Sequence, residues 1–264
     1  MNLSTASNRQ QTLLRKLNRK KYRYKERLFL LEGARAVKQV IANQEIKIRT
    51  LFFDKSQHYW EQADWQRTAD ELEVATLSEE LFMEVSDTDT PQGVLALCKM
   101  PSEVTAEELA EQSGLIIALD GLQDPGNLGT IIRTAGWFGI SGIISGKGTV
   151  DMFHPKVVRG AAGATGSIPF MNAELSEVFD TLERENWQIF LLDAGPQSQP
   201  LHKISSIKKG VIVVGNEGHG IRDELLTGNR NSVQISSPVD QQNVESLNAA
   251  IAASIALYDL SKKI

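Results

Sequence analysis

Four short apolar runs in the second half of the chain, Leu115 to Leu119, Gly142 to Ser145, Gln188 to Leu192 and Val211 to Val214, alternate with helical patterns. Continuous hydrophobicity, rather than alternation, marks strands covered on both faces, the pattern of a parallel sheet flanked by helices. From Gly114 onward the chain therefore predicts an α/β domain on a mostly parallel sheet. In open sheets of that kind a ligand lies beyond the carboxyl ends of the strands, where loops meet helix amino termini. Asp120-Gly121 and Gly215-Asn216 fall at two such ends.

The first half reads as a separate, smaller α/β domain. A basic amphipathic helix over residues 5–21, with Leu13, Leu14 and Leu17 on one side, precedes a strand at Leu28-Phe29-Leu30-Leu31 and a helical pattern through Ala34, Val37, Val40 and Ile41. Arg49 to Phe53 and Gln92 to Leu97 supply two more strands, separated by a polar helical stretch with Trp60 and Trp65. The sequence thus predicts a domain over residues 1–98, a linker over 99–113, where Pro101 and Ser102 precede acidic residues, and a second domain over 114–264. At 264 residues and 41% hydrophobic composition the chain has enough apolar material for two cores.

A net charge of -5 conceals a polarity. Nine cations and one acid, Glu26, precede residue 29, so this segment carries +8 and the remainder -13. It reads either as a basic arm for a polyanion or as a solvated helix face. The single Cys98 rules out an internal disulfide and fits a reducing compartment. His58, His154, His202 and His219 lack ligand spacing, so no metal is expected. No stretch approaches the roughly 18 uninterrupted apolar residues of a membrane span, and the amino terminus lacks a signal-peptide core, so a cytoplasmic location away from membranes is expected.

Three strings add chemistry: Asn127-Leu128-Gly129 followed after three residues by Arg133, then Gly215-Asn216-Glu217-Gly218-His219-Gly220, then Ser246-Leu247-Asn248. Asn127 follows a turn-rich loop and is placed to cap the next helix. On that helix Gly129 and Gly136 share the face of Arg133. Glycine costs about 1 kcal/mol relative to alanine inside a helix. The pair either opens room for a substrate or another chain at the guanidinium, or permits close helix packing. The second string is not the G-x-G-x-x-G of dinucleotide folds, which argues against a nicotinamide enzyme. Glu217 reads as a carboxylate that holds an arginine or accepts a hydrogen bond from a ligand, or as a plain surface residue. Ser246 or Asn243 reads as a helix cap, whereas Asn248, just inside an apolar helix, calls for a specific polar contact.

In this order and spacing the strings resemble the three signature motifs of the SpoU-type, or TrmH-family, RNA 2′-O-ribose methyltransferases of the SPOUT superfamily. The resemblance runs from Gly114 to the end and includes Pro155-Lys156-Val157-Val158-Arg159. Leu31-Glu32-Gly33, with Arg35 after one residue, and Gln92-Gly93-Val94 resemble the ribosomal-protein-like substrate-binding domain of many members. The resemblance implies a deep trefoil knot in the carboxy-terminal domain, S-adenosylmethionine held in a bent shape by the loops Gly215 to Ile221 and Ile235 to Leu247, and a homodimer packed through the last helix with active sites shared between subunits. It makes Arg133 catalytic, has Asn127 and Glu217 shape the site, and brings Ser246 and Asn248 to the target nucleotide or cofactor. Gly215, Gly220, Ile235, Ser237 and Leu247 would bind the cofactor, and Arg15, Lys16, Arg19, Lys20, Arg23 and Arg35 the RNA.

The implied reaction is attack of a ribose 2′-oxygen on the methyl sulfonium. Family mechanisms often make the arginine a general base, but a guanidinium stays protonated in proteins, so gripping a phosphate and stabilising the developing alkoxide is the easier role. The chain departs from the family where Ser237 stands in place of an isoleucine and a glycine is missing before Asn243. Contacts to the adenine are assigned there to the backbone near Ile235 or Ser237 and to Leu247. Ribosomal RNA is the expected substrate, because the separate small domain typifies members that act on it. Transfer RNA, or a non-catalytic RNA-binding role that retained Arg133 and Asn248 argue against, are the alternatives.

Overall fold

The computed structural model describes residues 3–62, 65–66, 72–195, 197–227, 230–237, 244 and 246–264. The chain forms two units, one of Met1–Pro101 with Asp151–Ser167, the other of Ser102–Val150 with Ile168–Ile264.

In the first unit Ser7 and Gln10 form a reciprocal capping box for α1 (Asn8–Leu17), which buries Leu14 and Leu17. The single helix expected over residues 5–21 instead breaks at Asn18 and Arg19, and α2 (Lys20–Glu26) follows. Arg23 explains the break. Its Nη1 donates to the carbonyls of Leu17 and Asn18 at 2.8 and 3.0 Å, satisfying orphan acceptors at the end of α1. Next come β1 (Leu28–Glu32), α3 (Ala34–Asn43), β2 (Ile48–Asp54), β3 (Glu73–Leu77), α4 (Glu79–Val85) and β4 (Val94–Lys99). The sheet order is β1-β4-β2-β3, antiparallel except for β2 with β3. Leu14, Leu17, Phe52, Phe82 and Leu95 share one core cluster. The sequence reading contains neither β3 nor α4. Of the helical stretch expected through Trp60 and Trp65, Tyr59–Glu61 form one 3-10 turn, and most of 63–71 lies outside the described residues.

The second unit begins inside the expected linker. Thr105 and Glu108 make a capping box for α5 (Ala106–Ala110), which sinks Leu109 and Ala110 into the core. Acidic residues read as solvated linker are in fact the helix-start signal. After β5 (Gly114–Leu119), α6 (Pro125–Phe138) and β6 (Gly142–Ser145), the chain passes into the first unit, where residues 151–167 carry α7 (Pro155–Gly160). There Phe153 stacks on Phe29, ring centroids 5.0 Å apart, and Asp151 pairs with Arg23. Residues 151–167 thus pack with the amino-terminal residues although they lie within the stretch read as the second domain.

The chain returns for β7 (Phe170–Asn172), α8 (Leu175–Arg184), β8 (Gln188–Leu192), β9 (Gln199–Pro200), β10 (Lys209–Val214), β11 (Asn231–Gln234) and α9 (Ala249–Ser261). All seven strands are parallel, in the order β7-β6-β5-β10-β8-β11-β9. The four predicted strands form its middle, whereas β7, β9 and β11 are too short and polar to show an apolar run. Helix α9 is apolar all round. Ala250, Ala253, Leu257 and Leu260 face inward, while Ile251, Ile255 and Tyr258 are 49%, 37% and 54% exposed. Its contact with α6 includes Thr134 and Ser254 hydroxyls 3.2 Å apart and the Phe138 and Tyr258 rings edge to face. Among the described residues no helix is long and apolar enough to cross a membrane.

Candidate active site

Strands β5 and β10 are neighbours, so the loops leaving their carboxyl ends lie side by side. Asp124, not Asn127, caps α6: its carboxylate accepts from the Asn127 N–H at 2.7 Å, and Pro125 occupies the first position, where no N–H is needed. Asn127 therefore sits one turn in, with its amide free to reach sideways. Its Nδ2 donates to Glu217 Oε1 at 3.0 Å, and its Oδ1 accepts from Asn248 Nδ2 at 2.9 Å. Asn248 is the cap of α9 rather than an interior residue, its Oδ1 accepting from the N–H groups of Ala250 and Ile251.

The chain from Glu217 through Asn127 to Asn248 has one allowed polarity. A carboxylate only accepts and a helix amino terminus only donates, so the groups at the two ends orient both amides. Three strings whose joined residues span 121 positions of sequence are thus linked by side-chain hydrogen bonds. Glu217 also accepts from the N–H groups of Gln123 and Asp124 at 3.1 and 3.0 Å. Burial pushes its carboxyl up, but the bonds from Asn127 and from the N–H groups of Gln123, Glu217 and Asp124 prevail and hold it below the ordinary carboxylate range. With both oxygens engaged, Glu217 fixes Asn127 in place instead of relaying a proton.

The glycine-rich loop is closed by reciprocal backbone bonds between Asn216 and Gly220 at 2.8 and 2.9 Å. A Cβ on Gly215 would lie 2.3 Å from the Gly220 carbonyl carbon, so only glycine fits there. Gly220, with φ +70°, has nothing within 4 Å of where a Cβ would stand, which leaves the backbone bare on that side. Asn216 ties this loop across to the first, donating to the Gly121 carbonyl at 2.7 Å.

Arg133 is exposed on α6, and its guanidinium makes no hydrogen bond or ion pair among the described residues. Ser246 is exposed beside Leu247, itself 46% exposed. Ile235 is half-buried and Ser237 exposed just past β11, and neither belongs to the hydrogen-bonded chain; residues 238–243, Asn243 included, lie outside the described residues. The sequence reading placed Asp120 at a ligand-bearing strand end but missed its partner Arg222 and, beyond it, Glu174. Asp120 is 2% exposed and accepts from Arg222 Nε at 2.7 Å. Burial of a carboxylate at a strand end demands a cation, and an arginine just beyond the glycine loop was the available signal. No group of three His, Cys, Asp or Glu side chains among the described residues is placed to hold a metal.

The basic arm divides. Arg23 is 2% exposed and buried against Asp151, with Nε 3.1 Å from Oδ2, and this removes it from the expected RNA-binding set. Arg15 pairs with Glu84 at 2.8 Å while remaining half exposed. Lys16 and Lys20 lie over the rings of Tyr22 and Tyr24, and both ammonium groups, with Arg19, are exposed. Arg35 is exposed on the first turn of α3.

Residues 114–258 match the SpoU rRNA Methylase family, and residues 8–96 match the MRM3-like substrate binding domain. The 23S rRNA (guanosine(2553)-2′-O)-methyltransferase RlmP of Bacillus subtilis is 33% identical over 262 residues, covering 98% of each chain. A putative RNA methyltransferase of the TrmH family from Porphyromonas gingivalis superposes with TM-score 0.81 at 30% identity, over 99% of this chain and 100% of that one. The AdoMet-bound rRNA methyltransferase from Sinorhizobium meliloti gives 0.83 at 29%, over 98% and 97%. Sequence, fold and the joined motifs agree: the chain belongs to the SpoU rRNA Methylase family.

Proposed function

We propose that the protein transfers a methyl group from S-adenosylmethionine to a ribose 2′-hydroxyl of structured ribosomal RNA. The observation that carries this reading is the hydrogen-bonded chain from Glu217 through Asn127 to Asn248, which gathers the three strings at the helix that presents Arg133. The substrate named for the Bacillus relative and the substrate-binding-domain match of residues 8–96 favour ribosomal over transfer RNA.

The residues at the site suit the cofactor named for the Sinorhizobium structure. The bare backbone at Gly220, the tight turn at Gly215, the exposed apolar surface of Leu247 and the segment from Ile235 to Ser237 would hold it. S-adenosylmethionine supplies a methyl group activated by its sulfonium charge. Everything else falls to the chain. Arg133, with all its donors open, binds the phosphate beside the target ribose and stabilises negative charge growing on the 2′-oxygen as the hydroxyl proton passes to water. Glu217 locks Asn127, and Asn127, Asn248 and Ser246 orient the nucleotide, so that proximity supplies much of the acceleration. Arg15, Lys16, Arg19, Lys20 and Arg35 grip RNA phosphates without reading sequence.

The functional unit in this reading is a homodimer. Its support is the outer face of α9, with Ile251, Ile255 and Tyr258 open to solvent, and Trp137 on α6, 85% exposed. A helix apolar on every side belongs in an interior, and a second copy provides one. The same reading includes a trefoil threading of the carboxy-terminal segment, in keeping with α9 returning to α6 after β10 and β11 enter the interior of the sheet. It also assigns the protein to the cytoplasm, where the lone thiol of Cys98, buried and pushed up in pKa by that burial, stays reduced.

The test maps ribose methylation in total RNA from cells with and without the gene and follows label from S-adenosylmethionine into RNA with purified protein. Disappearance of one ribosomal 2′-O-methyl site is expected. A lost transfer-RNA site would move the substrate, and neither a lost site nor transferred label would end the enzyme reading.

A further inference from the structure

Three polar links fasten the loop over residues 215–222 to the loop over 120–124. Asn216 holds the Gly121 carbonyl, Glu217 holds the N–H groups of Gln123 and Asp124, and Arg222 holds Asp120 from both its backbone N–H and its Nε, at 2.8 and 2.7 Å. The third link differs in kind. Asp120 is buried at the end of β5, and a buried carboxylate stripped of its counter-charge is strongly unfavourable. The other nitrogens of Arg222 reach Glu174 at 2.7 Å and Glu224 at 2.6 Å. The bond from Arg222 holds the Glu174 carboxyl below its ordinary range. Glu174 is the cap of α8, so one guanidinium fixes a strand end, a helix start and the glycine-rich loop in a single geometry.

We infer that Arg222 is a positioning residue for the methyl-donor site: by clamping Asp120 it sets the height of the loop over 215–221 above the sheet, and it touches none of the reacting atoms. The inference rests on the functional reading above, in which that loop holds S-adenosylmethionine. A loop held loosely by about an ångström binds its ligand poorly even when every contact residue is present.

Calorimetric titration of the full-length protein with S-adenosylmethionine, without RNA, is the test. Arg222→Gln is expected to weaken binding by about tenfold and to raise the donor KM in parallel, while kcat at saturating donor falls less than about threefold. Arg222→Lys recovers part of the affinity, because an ammonium can meet Asp120 but cannot fork to Glu174. Arg230→Gln breaks another arginine–glutamate pair of this unit, to Glu183 at 3.0 Å, and leaves donor affinity within about twofold. Unchanged affinity in Arg222→Gln, or an equal loss in Arg230→Gln, overturns the role. If Arg222→Gln does not fold, Glu174→Gln decides: binding weakened about threefold supports the clamp, and unchanged binding overturns it. A wild-type protein that binds no donor overturns the functional reading itself, an outcome separate from any difference between variants.

Discussion

Arg23 and Arg133 occupy opposite extremes. Arg23 is enclosed, donating to Asp151 and to the carbonyls of Leu17 and Asn18, whereas Arg133 stands in solvent with no partner among the described residues. The family resemblance assigns Arg23 to RNA binding and Arg133 to catalysis. What separates them is whether the fold has already used their donors. A guanidinium whose donors are satisfied holds the chain together, and its neighbours are arranged around it. One left open, in a unit where Glu217, Asn127 and Asn248 satisfy one another, is available to a ligand.

The largest effect is expected at Arg23, which folding should not tolerate losing. Arg23→Ala strands Asp151 in the interior and is expected to destabilise the protein by about 3–5 kcal/mol in urea unfolding. An apolar replacement of both partners should recover most of that loss. Little change in stability with a large loss of RNA affinity would put Arg23 back in the RNA-binding set. Next in size is Arg133→Ala. It should lower turnover by roughly 10²–10³-fold, the range for removing a donor from a developing charge, with melting temperature and donor affinity unchanged. Wild-type turnover would remove Arg133 from the reaction.

A smaller effect concerns the wiring between these extremes. The Glu217 carboxyl sits below its ordinary range when folded, so its contribution to stability is complete above the unfolded carboxylate pKa and disappears as pH falls through the folded value. Because Glu217 is exposed and water screens its charge, Glu217→Gln should lose no more than about 1 kcal/mol near neutrality and show a flatter acid limb than wild type in unfolding measured from pH 7 to 3. Parallel acid limbs in the two proteins would mean that the carboxylate carries no such linkage. Smallest is Arg15→Ala, whose exposed pair with Glu84 is worth within about 1 kcal/mol. Its effect should appear in RNA binding instead, as a salt dependence shallower by about one counterion.

Much of the parallel sheet was legible because a doubly covered strand carries an unbroken apolar run, and β5, β6, β8 and β10 each do. Strands β7, β9 and β11, of two to four residues, add to the sheet without that requirement. The break between α1 and α2 was hidden because Arg23 looks like any other cation in a basic helix until Asp151, 128 residues away in sequence, is brought beside it. At the site, residue types were readable and duties were not. Asn127 read as a helix cap and Asn248 as a residue just inside a helix; the fold reverses them, because Asp124 and Pro125 take the first helix start and Asn248 itself caps the last helix. Asp120 and Arg222 went unpaired because 102 residues separate the acid at the strand end from the arginine beyond the glycine loop.

The first unit is not a continuous stretch of chain, because residues 151–167 complete it from within the other. A gene fragment ending before residue 114 would leave out Phe153 and Asp151, exposing Phe29 and leaving Arg23 without its carboxylate. Moving residues 8–96 between relatives therefore has to bring residues 151–167 with them, or Phe29 and Arg23 lose the contacts that cover them.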